Sequence, residues 1–367
     1  MPDLSWEAWR DAEASAIREG NRWREMTALE GLGPRFVLPD GRKVVSFASN
    51  DYLGLTSHPS VIDAAREAAA HWGTGAGASR LVVGSRDIHA HLEAALASWR
   101  GAESALVLPS GYQANLAVLA AFGQGARIVS DETNHASIID GARLARAEVA
   151  VYRHADVGHA EDLVRSASGR VIVVSDTVFS MDGDVAPVDH LSKMCARRGA
   201  LLVLDDAHAV FDVEPLDPDA LCLRVGTLSK ALGSQGGYIT GPHRWVEMVV
   251  NRARSFIFTT ALAPNCAAAA LASVEICRSE EGASLRQALR RNIDALRPGH
   301  PTPIIPVVLG SEQAALDASR RLLEEGLLVP AIRPPTVPEG TSRLRVALSA
   351  AHEPSDVEHL AQVLPSP

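Results

Sequence analysis

The sequence predicts an α/β protein whose large domain holds a mostly parallel sheet covered by helices, followed by a smaller α/β C-terminal domain. Two observations support this fold class. From about residue 60, short apolar segments of strand length alternate with amphipathic segments of helix length. A second alternation of this kind begins near Pro264. The chain has 367 residues, enough for two domains. We expect an N-terminal helix and hairpin arm at 1–48, a large domain at 49–263 and a small domain at 264–367.

Hydrophobic periodicity predicts the individual elements of this fold. The N-terminal arm should hold an amphipathic helix over 5–30 and a hairpin over 35–47, because Asp40-Gly41 is a typical turn pair. In the large domain we expect helices at 60–72, 87–99 and 112–122, and strands at 104–108, 127–130, 148–152, 170–174, 200–204 and 221–225. In the small domain we expect helices at 265–278 and 312–325, and strands at 304–309 and 344–347.

Composition and charge argue against several classes of protein. The formal net charge is −9 with no basic run, whereas nucleic-acid binders need a basic face. The first 24 residues lack the apolar core of a signal peptide, and the longest apolar run, 261–274, is interrupted and too short to span a bilayer. The cysteines lack the spacing of a metal or redox motif; they are Cys195, Cys222, Cys266 and Cys277. We therefore predict a cytoplasmic protein with reduced thiols that binds neither nucleic acid nor membrane.

Lys230 is the residue with the most unusual sequence surroundings. It lies in the run 226–237, which is made mainly of small and hydroxylated residues with several glycines. A surface lysine usually has charged neighbours, whereas this setting lets the backbone approach closely and can desolvate the amine, which lowers its pKa. A lysine that forms a Schiff base needs those conditions. The alternative is a solvated lysine after a strand, which would not require the small neighbours.

A carboxylate and an imidazole follow the preceding predicted strand. Asp205 comes at the end of the apolar run, and His208 follows it closely. Pyridoxal 5′-phosphate (PLP) requires a carboxylate to pair with its pyridine nitrogen and a lysine to react with its aldehyde. The sequence therefore predicts this cofactor, bound covalently to Lys230. Asp206 is an alternative to Asp205, because strand alternation alone does not decide which acid faces the ring. A metal site is disfavoured, since no third ligand has a suitable spacing.

Further polar residues follow other predicted strands, and the carboxyl ends of parallel strands meet at one edge of a sheet. Gly111 and Tyr112 open a helix that Ser110 should cap, a position that suits a phosphate group. His135 and Ser180 lie in loops after later strands. Taken singly, each position also fits an ordinary cap, turn or surface residue. Their convergence on one edge is what predicts a binding site.

From about residue 45 to its C-terminus, the chain resembles the α-oxoamine synthases, a branch of the fold-type I PLP-dependent transferases. The resembling motifs occur in the family's order, at 50–55, 73–80, 111–115, 134–137, 179–184, 205–208, 226–237 and 256–260. Members of this family condense an amino acid with an acyl thioester and release CO2. The resemblance also implies a homodimer with the active site between the subunits.

The resemblance implies a role for each matching position. Lys230 would carry the cofactor and move the proton at the substrate α-carbon. Asp205 would pair with the pyridine nitrogen, and His135 would stack on the ring and help polarise the thioester. The other cofactor contacts would be Gly111, Tyr112, Ser180, His208 and Thr227, with Thr260 or its neighbour Thr259 reaching the phosphate from the second subunit. Asn50 and Arg333 would hold the amino-acid carboxylate, while Thr336 and Arg24, or Arg22, would line the acyl pocket.

The run 331–341 is most similar to the family member that joins L-alanine to a pimeloyl thioester. The alternatives are members that use glycine and a PLP-binding protein without catalysis. A Rossmann-type nucleotide binder is disfavoured, because no GxGxxG follows the first strand. The chain departs from the family in a short acidic segment at 209–218 and at Ala78, where glycine is common. Whether the acyl carrier is coenzyme A or acyl carrier protein stays open at this point.

Overall fold

The N-terminal arm contains a helix followed by three antiparallel strands. The structure, a computed structural model, describes residues 5–211 and 214–365, so part of the acidic segment 209–218 lies outside the described residues. The arm's elements are α1 (Trp6–Glu19), β1 (Glu30–Leu32), β2 (Arg35–Val37) and β3 (Lys43–Ser46). The predicted hairpin is confirmed, but the prediction of a helix up to residue 30 is wrong. Gly20 ends the helix, and Asn21 adopts a left-handed conformation with φ of 52°.

Residues 59–257, within the expected large domain, contain a seven-stranded sheet and the helices that cover it. Its helices are α2 (Pro59–Trp72), α3 (Asp87–Arg100), α4 (Gly111–Phe122), α5 (Ala136–Leu144), α6 (Val157–Arg165), α7 (Val188–Arg198), α8 (His243–Arg252) and α9 (Arg254–Ile257). Its strands are β4 (Ser104–Leu108), β5 (Arg127–Asp131), β6 (Glu148–Tyr152), β7 (Val171–Asp176), β8 (Leu201–Asp205), β9 (Cys222–Thr227) and β10 (Gly237–Gly241). The strand order is β4-β10-β9-β8-β7-β5-β6, and β10 runs antiparallel to both of its neighbours. All six predicted strands are confirmed.

Strand β10 was not predicted, because the glycines at both of its ends resemble turn residues. These glycines instead allow close packing. A Cβ added at Gly237 would lie 2.5 Å from the backbone of Ser110 and Gly111. The close approach brings the start of α4 against the segment that carries Lys230, and both segments contribute to the site described below.

The C-terminal region adds helices and a second, smaller sheet. Its elements are α10 (Pro264–Arg278), α11 (Glu280–Leu296), β11 (Ile304–Gly310), α12 (Glu312–Glu324), β12 (Leu327–Leu328), β13 (Ala331–Ile332), β14 (Ser342–Ala347) and α13 (Pro354–Val363). Strands β11, β14 and β13 form an antiparallel sheet, which confirms both strands predicted here. Strand β12 pairs in parallel with β3, so the N-terminal arm and the C-terminal region share one sheet.

The central sheet is buried on both faces, as expected for parallel strands between helices. Ile172 and Val174 pack with α4, α5 and α8, whereas the intervening Val173 packs with α6 and α7. Because apolar side chains occupy both faces, polar side chains concentrate where the strands end. Among the described residues, no helix combines the length and apolar character needed to cross a membrane.

Candidate active site

A cavity of about 260 Å³ opens at the carboxyl edge of the central sheet, where the predicted loops converge. Its lining comes from the loops after β4, β5, β7, β8 and β9. The sequence-predicted residues that line it are Gly111, Tyr112, His135, Asp205, His208, Thr227 and Lys230. The sequence analysis did not single out Asn115, Ser137, Asp176 and Ala207, which also line it. The expected convergence on one edge is therefore present in the structure.

Lys230 points its amine at an imidazole inside this cavity. Its Nζ lies 2.9 Å from Nε2 of His208. Burial lowers the pKa of Lys230, and the carboxylates of Asp205 and Asp176 oppose that shift. A lysine with a lowered pKa is more often neutral near pH 7, and a neutral amine can act as nucleophile or base.

Asp205 and Asp206 face opposite sides of the end of β8. Asp205 lines the cavity, where its Oδ2 accepts a 2.6 Å hydrogen bond from Nδ2 of Asn115 and its Oδ1 accepts from the backbone N–H of Ala207. Asp206 instead forms a 2.8 Å ion pair with Arg224 away from the cavity. Of the two acids that the sequence left open, Asp205 is therefore the one facing the cavity.

His135 caps α5 and lines the cavity, where part of the residue is exposed to solvent. Its Nδ1 lies 2.7 Å from Oγ of Ser137, which in turn accepts a 2.9 Å hydrogen bond from Asn115. Burial lowers the pKa of His135, and the Asp205 carboxylate opposes this shift. The Asn115 amide thus contacts Asp205 directly and His135 through Ser137, which fixes the two functional groups relative to each other.

The start of α4 forms the end of the cavity suited to an anion. Ser110 Oγ accepts a 3.1 Å hydrogen bond from the backbone N–H of Gln113, which confirms the predicted cap. A Cβ at Gly111 would lie 3.1 Å from the Cβ of Thr227, so a larger residue would narrow the gap between the two. Free backbone N–H groups and the helix dipole at such a terminus favour a phosphate.

Arg345 is a functional candidate that the sequence analysis missed. It is almost fully buried in β14, where its Nε donates a 2.5 Å hydrogen bond to the backbone oxygen of Ser180 and its Nη2 donates to Oδ1 of Asn50 at 3.2 Å. Its charge also contributes to lowering the pKa of His208, after the larger effects of burial and Lys230. The available signal was the spacing of Arg343 and Arg345 in an otherwise apolar strand.

Several predicted substrate residues gather in a second pocket of about 100 Å³ rather than in the main cavity. This pocket is lined by Arg22, Arg24, Ala331, Ile332, Arg333, Pro334 and Thr336. Arg22 is paired with Glu339 at 2.9 Å. The assignment of Arg333 to the amino-acid carboxylate stays a prediction, although buried Arg345 lies beside Asn50 and Arg333 does not line the cavity.

Two other predicted residues also lie outside the cavity lining. Ser180 belongs to the turn after β7, and only its backbone oxygen has a described contact with the site, through Arg345. Thr260 is exposed on the surface of this chain. Their roles as cofactor contacts stay predictions, and for Thr260 the expected site belongs to a second subunit.

Unpartnered polar atoms indicate that the cavity is built for a polar ligand. Oδ1 of Asp176 and Oδ1 of Asn115 are buried there without a hydrogen-bond partner among the residues that the structure describes. Burial, reinforced by the Asp205 carboxylate, raises the pKa of Asp176 well above its usual range. Together with Lys230, Asp205 and the start of α4, these groups fit PLP, which needs a lysine, an acid for its ring nitrogen and an anion site for its phosphate.

Comparisons with known proteins agree with this site. A family model described as aminotransferase class I and II matches residues 42–364. An 8-amino-7-oxononanoate synthase from Anaeromyxobacter dehalogenans is 45% identical, over 97% of this chain and 96% of the relative. Another from a Methylobacterium species is 46% identical, over 99% of this chain and 97% of the relative.

Solved structures give the same result for the fold. A serine palmitoyltransferase from S. paucimobilis, solved with a bound PLP-myriocin aldimine, has a TM-score of 0.91 at 28% identity and covers 99% of this chain and 97% of its own. A Francisella tularensis 8-amino-7-oxononanoate synthase shares the fold with a TM-score of 0.72, at 24% identity, over 88% of this chain and 96% of its own. The chain therefore belongs to the aminotransferase class I and II family and, within it, to the family of the 8-amino-7-oxononanoate synthases.

Proposed function

We propose that the protein catalyses the PLP-dependent condensation of L-alanine with a pimeloyl thioester, which releases CO2 and the free thiol and forms 8-amino-7-oxononanoate for biotin biosynthesis. One observation carries the proposal: Lys230, Asp205 and His135 line one cavity in a chain that is 45% and 46% identical to relatives named for this product. When bound, the cofactor supplies an electron sink for the carbanion at the alanine α-carbon.

Lys230 is the covalent attachment point for the cofactor and, once displaced by alanine, the base that removes the α-proton. Its lowered pKa serves both tasks, because each needs a neutral amine. Asp205 keeps a proton on the ring nitrogen, and Asn115 holds this carboxylate in orientation through a 2.6 Å hydrogen bond. His135, an imidazole with a lowered pKa, supports the ring and the thioester carbonyl without adding a second cation to the site.

Arg345 and Asn50 bind the alanine carboxylate in this proposal. A guanidinium can hold a carboxylate with two parallel hydrogen bonds, and its burial in β14 limits the positions that the carboxylate can take. The Arg345 guanidinium contacts Asn50 at 3.2 Å, and its charge, after the larger effect of burial, lowers the pKa values of His208 and Lys230.

The second pocket binds the far end of the acyl chain in this proposal. A pimeloyl group ends in a carboxylate, and the pocket presents the guanidinium groups of Arg24 and Arg333 beside the hydroxyl group of Thr336. Charge complementarity of this kind would select a dicarboxylic acyl chain over an uncharged one of similar length.

We expect substitutions in the two pockets to affect different substrates. Arg345→Lys should raise the KM for L-alanine about 10- to 100-fold, because a charge-assisted double hydrogen bond becomes a single contact. Arg333→Gln should raise the KM for pimeloyl-CoA about 10-fold and leave the KM for alanine near its original value. Steady-state kinetics with each substrate varied in turn would measure both effects.

Heptanoyl-CoA, which lacks the terminal carboxylate, is the control for the second pocket. If Arg333 contacts that carboxylate, Arg333→Gln should leave the weak use of heptanoyl-CoA unchanged. A rise in the alanine KM of Arg333→Gln that matches that of Arg345→Lys would instead assign Arg333 to the amino-acid carboxylate.

A homodimer completes the site in this proposal. Four apolar side chains are exposed together on one surface: Leu81 at 54%, Val82 at 74%, Val83 at 66% and Phe258 at 70%. The segments that carry them are joined by the 2.9 Å hydrogen bond from the N–H of Ala261 to the oxygen of Ala78. An exposed apolar patch of this kind is typical of a protein interface, and Thr260 adjoins it.

Sedimentation of the purified protein at micromolar concentration should give twice the mass of one chain. The double variant Val82→Asp, Phe258→Asp should sediment as a monomer, because two carboxylates would be buried in the interface. That monomer should also bind PLP more weakly if Thr260 serves the partner's site. A wild-type protein that sediments as a monomer would contradict the proposal.

Purified protein with PLP, L-alanine and pimeloyl-CoA tests the proposed function directly. Thiol release followed with a chromogenic disulfide, CO2 release and 8-amino-7-oxononanoate identified by mass spectrometry should appear in equal amounts. Pimeloyl-acyl carrier protein in place of the coenzyme A ester would identify the natural acyl carrier. Faster turnover with glycine than with alanine would assign the chain to a glycine-using reaction instead.

A further inference from the structure

A continuous row of hydrogen-bonding groups joins Arg345 to Lys230. Arg345 Nη2 lies 3.2 Å from Asn50 Oδ1, which lies 3.0 Å from the Tyr52 hydroxyl. The Tyr52 hydroxyl lies 2.6 Å from Nδ1 of His208, whose Nε2 lies 2.9 Å from Nζ of Lys230. Tyr52 is fully buried at the centre of this row, although the proposed mechanism assigns it no role.

The direction of each hydrogen bond follows from which groups can donate. A guanidinium only donates, so the Asn50 atom facing Arg345 is its amide oxygen, which only accepts. The Tyr52 hydroxyl must therefore give its single proton to Asn50. Burial raises the pKa of Tyr52 to about 12, so this proton is retained at neutral pH.

The tautomer of His208 follows from the same assignment of donors and acceptors. Since the Tyr52 proton is used on Asn50, the short contact between Tyr52 and His208 requires Nδ1 of His208 to be the donor. Burial, together with the charge of Lys230, holds the pKa of His208 well below that of a free imidazole, so the ring carries one proton. Its Nε2 then presents a lone pair to Lys230.

We infer that Tyr52 is a positioning residue that fixes His208 in the Nδ1–H tautomer and thereby links the Arg345–Asn50 pair to the amine of Lys230. In this arrangement His208 accepts a hydrogen bond from Lys230, which favours the charged amine and partly offsets the effect of burial. The tautomer does not depend on the proposed function, whereas the roles of Lys230 and Arg345 as reacting and substrate-binding groups rest on it.

Other charged groups also act on Lys230 and must be held constant in any test. The carboxylates of Asp205 and Asp176 raise the pKa of Lys230, and the guanidinium of Arg345 lowers it. Tyr52→Phe leaves these three in place and removes only the hydroxyl. His208 can then carry its proton on Nε2, so that this N–H faces the N–H groups of the charged Lys230 amine. Two donors facing each other disfavour the charged amine, so the pKa of Lys230 should fall.

The chain offers a direct measurement, because its only lysines are Lys43, Lys193 and Lys230. Competitive acylation of the cofactor-free, full-length protein across a pH series, read by peptide mass spectrometry, gives the pKa of each amine. Tyr52→Phe should lower the pKa of Lys230 by about one unit, the size of one charge-assisted hydrogen bond, and leave the other two unchanged.

Tyr238→Phe is the matched control, since Tyr238 is equally buried and its hydroxyl accepts from Arg100 outside this row. An equal pKa of Lys230 in the two variants would overturn the inference. If Tyr52→Phe does not fold, 15N NMR of histidine-labelled wild-type protein decides, with His208→Gln identifying the signal. A protonated Nδ1 supports the inference and a protonated Nε2 overturns it, whether or not the protein turns over alanine.

Discussion

Lys230→Ala is expected to reduce turnover of L-alanine and pimeloyl-CoA by at least about 10⁴-fold, the largest effect of any single substitution in the chain. In the proposed function, the substitution removes both the attachment point of the cofactor and the base that moves the α-proton. Lys230 is the lysine that lines the cavity, with its Nζ 2.9 Å from Nε2 of His208, so the variant has no other lysine amine there to carry the cofactor. Thiol release under saturating substrates measures the loss.

Lys193→Ala is the matched control for Lys230→Ala. Lys193 forms an exposed ion pair with Asp189 within α7, so its loss should change neither turnover nor the visible absorbance of the bound cofactor. In Lys230→Ala, borohydride should no longer fix the cofactor to the protein. Turnover of Lys230→Ala within tenfold of the wild-type value would assign the catalytic base to another residue.

Asp205→Asn and Asp206→Asn should differ sharply, although the two residues are adjacent. Asp205→Asn should lower turnover about 10²- to 10⁴-fold, because an amide does not hold the ring nitrogen protonated. Asp206→Asn should instead destabilise the protein by about 3 kcal/mol, because the mostly buried guanidinium of Arg224 loses its charged partner. Turnover at saturating PLP and urea denaturation of the cofactor-free protein measure the two effects separately.

Each of these variants serves as the control for the other. Asp205→Asn should lose less stability than Asp206→Asn, since the Asp205 carboxylate accepts hydrogen bonds from Asn115 and Ala207 but forms no ion pair within the described part of the chain. Asp206→Asn should keep most of its turnover below its unfolding transition. The reverse pattern would mean that Asp206 is the acid facing the cofactor.

The sequence predicted the site where polar residues follow apolar strands. Asp205, His208 and Lys230 were found in this way, because the end of a buried strand is the one place where its polar neighbours must meet a cavity or solvent. Strand alternation could not separate Asp205 from Asp206, since both faces of a parallel sheet are buried and neither face is marked as polar. The ion pair with Arg224 made the distinction, and that contact depends on the neighbouring strand β9.

The residues that the sequence analysis missed are polar or charged groups with long-range partners. Arg345 lies far along the chain from Asn50 and Ser180, so no local pattern connects it with them. Asp176 ends a strand, as Asp205 does. Its unpartnered oxygen can be identified only from the three-dimensional structure of the cavity, because the sequence does not show which atoms surround it. Arg333, in a proline-rich run, was the more conspicuous arginine in the sequence, yet it lines the outer pocket.

The shared sheet of the N-terminal arm and the C-terminal region also constrains how the protein is made. Val45 pairs with Leu327, so β3 has no partner on that side until most of the chain has left the ribosome. The contact between Asn50 and Arg345 also joins the two ends of the chain, so it forms equally late. Contacts between such distant segments are slow to form. Chains truncated before residue 327 should therefore contain every strand of the central sheet and Asn50 but lack Arg345, so the proposed site for the substrate carboxylate would be incomplete.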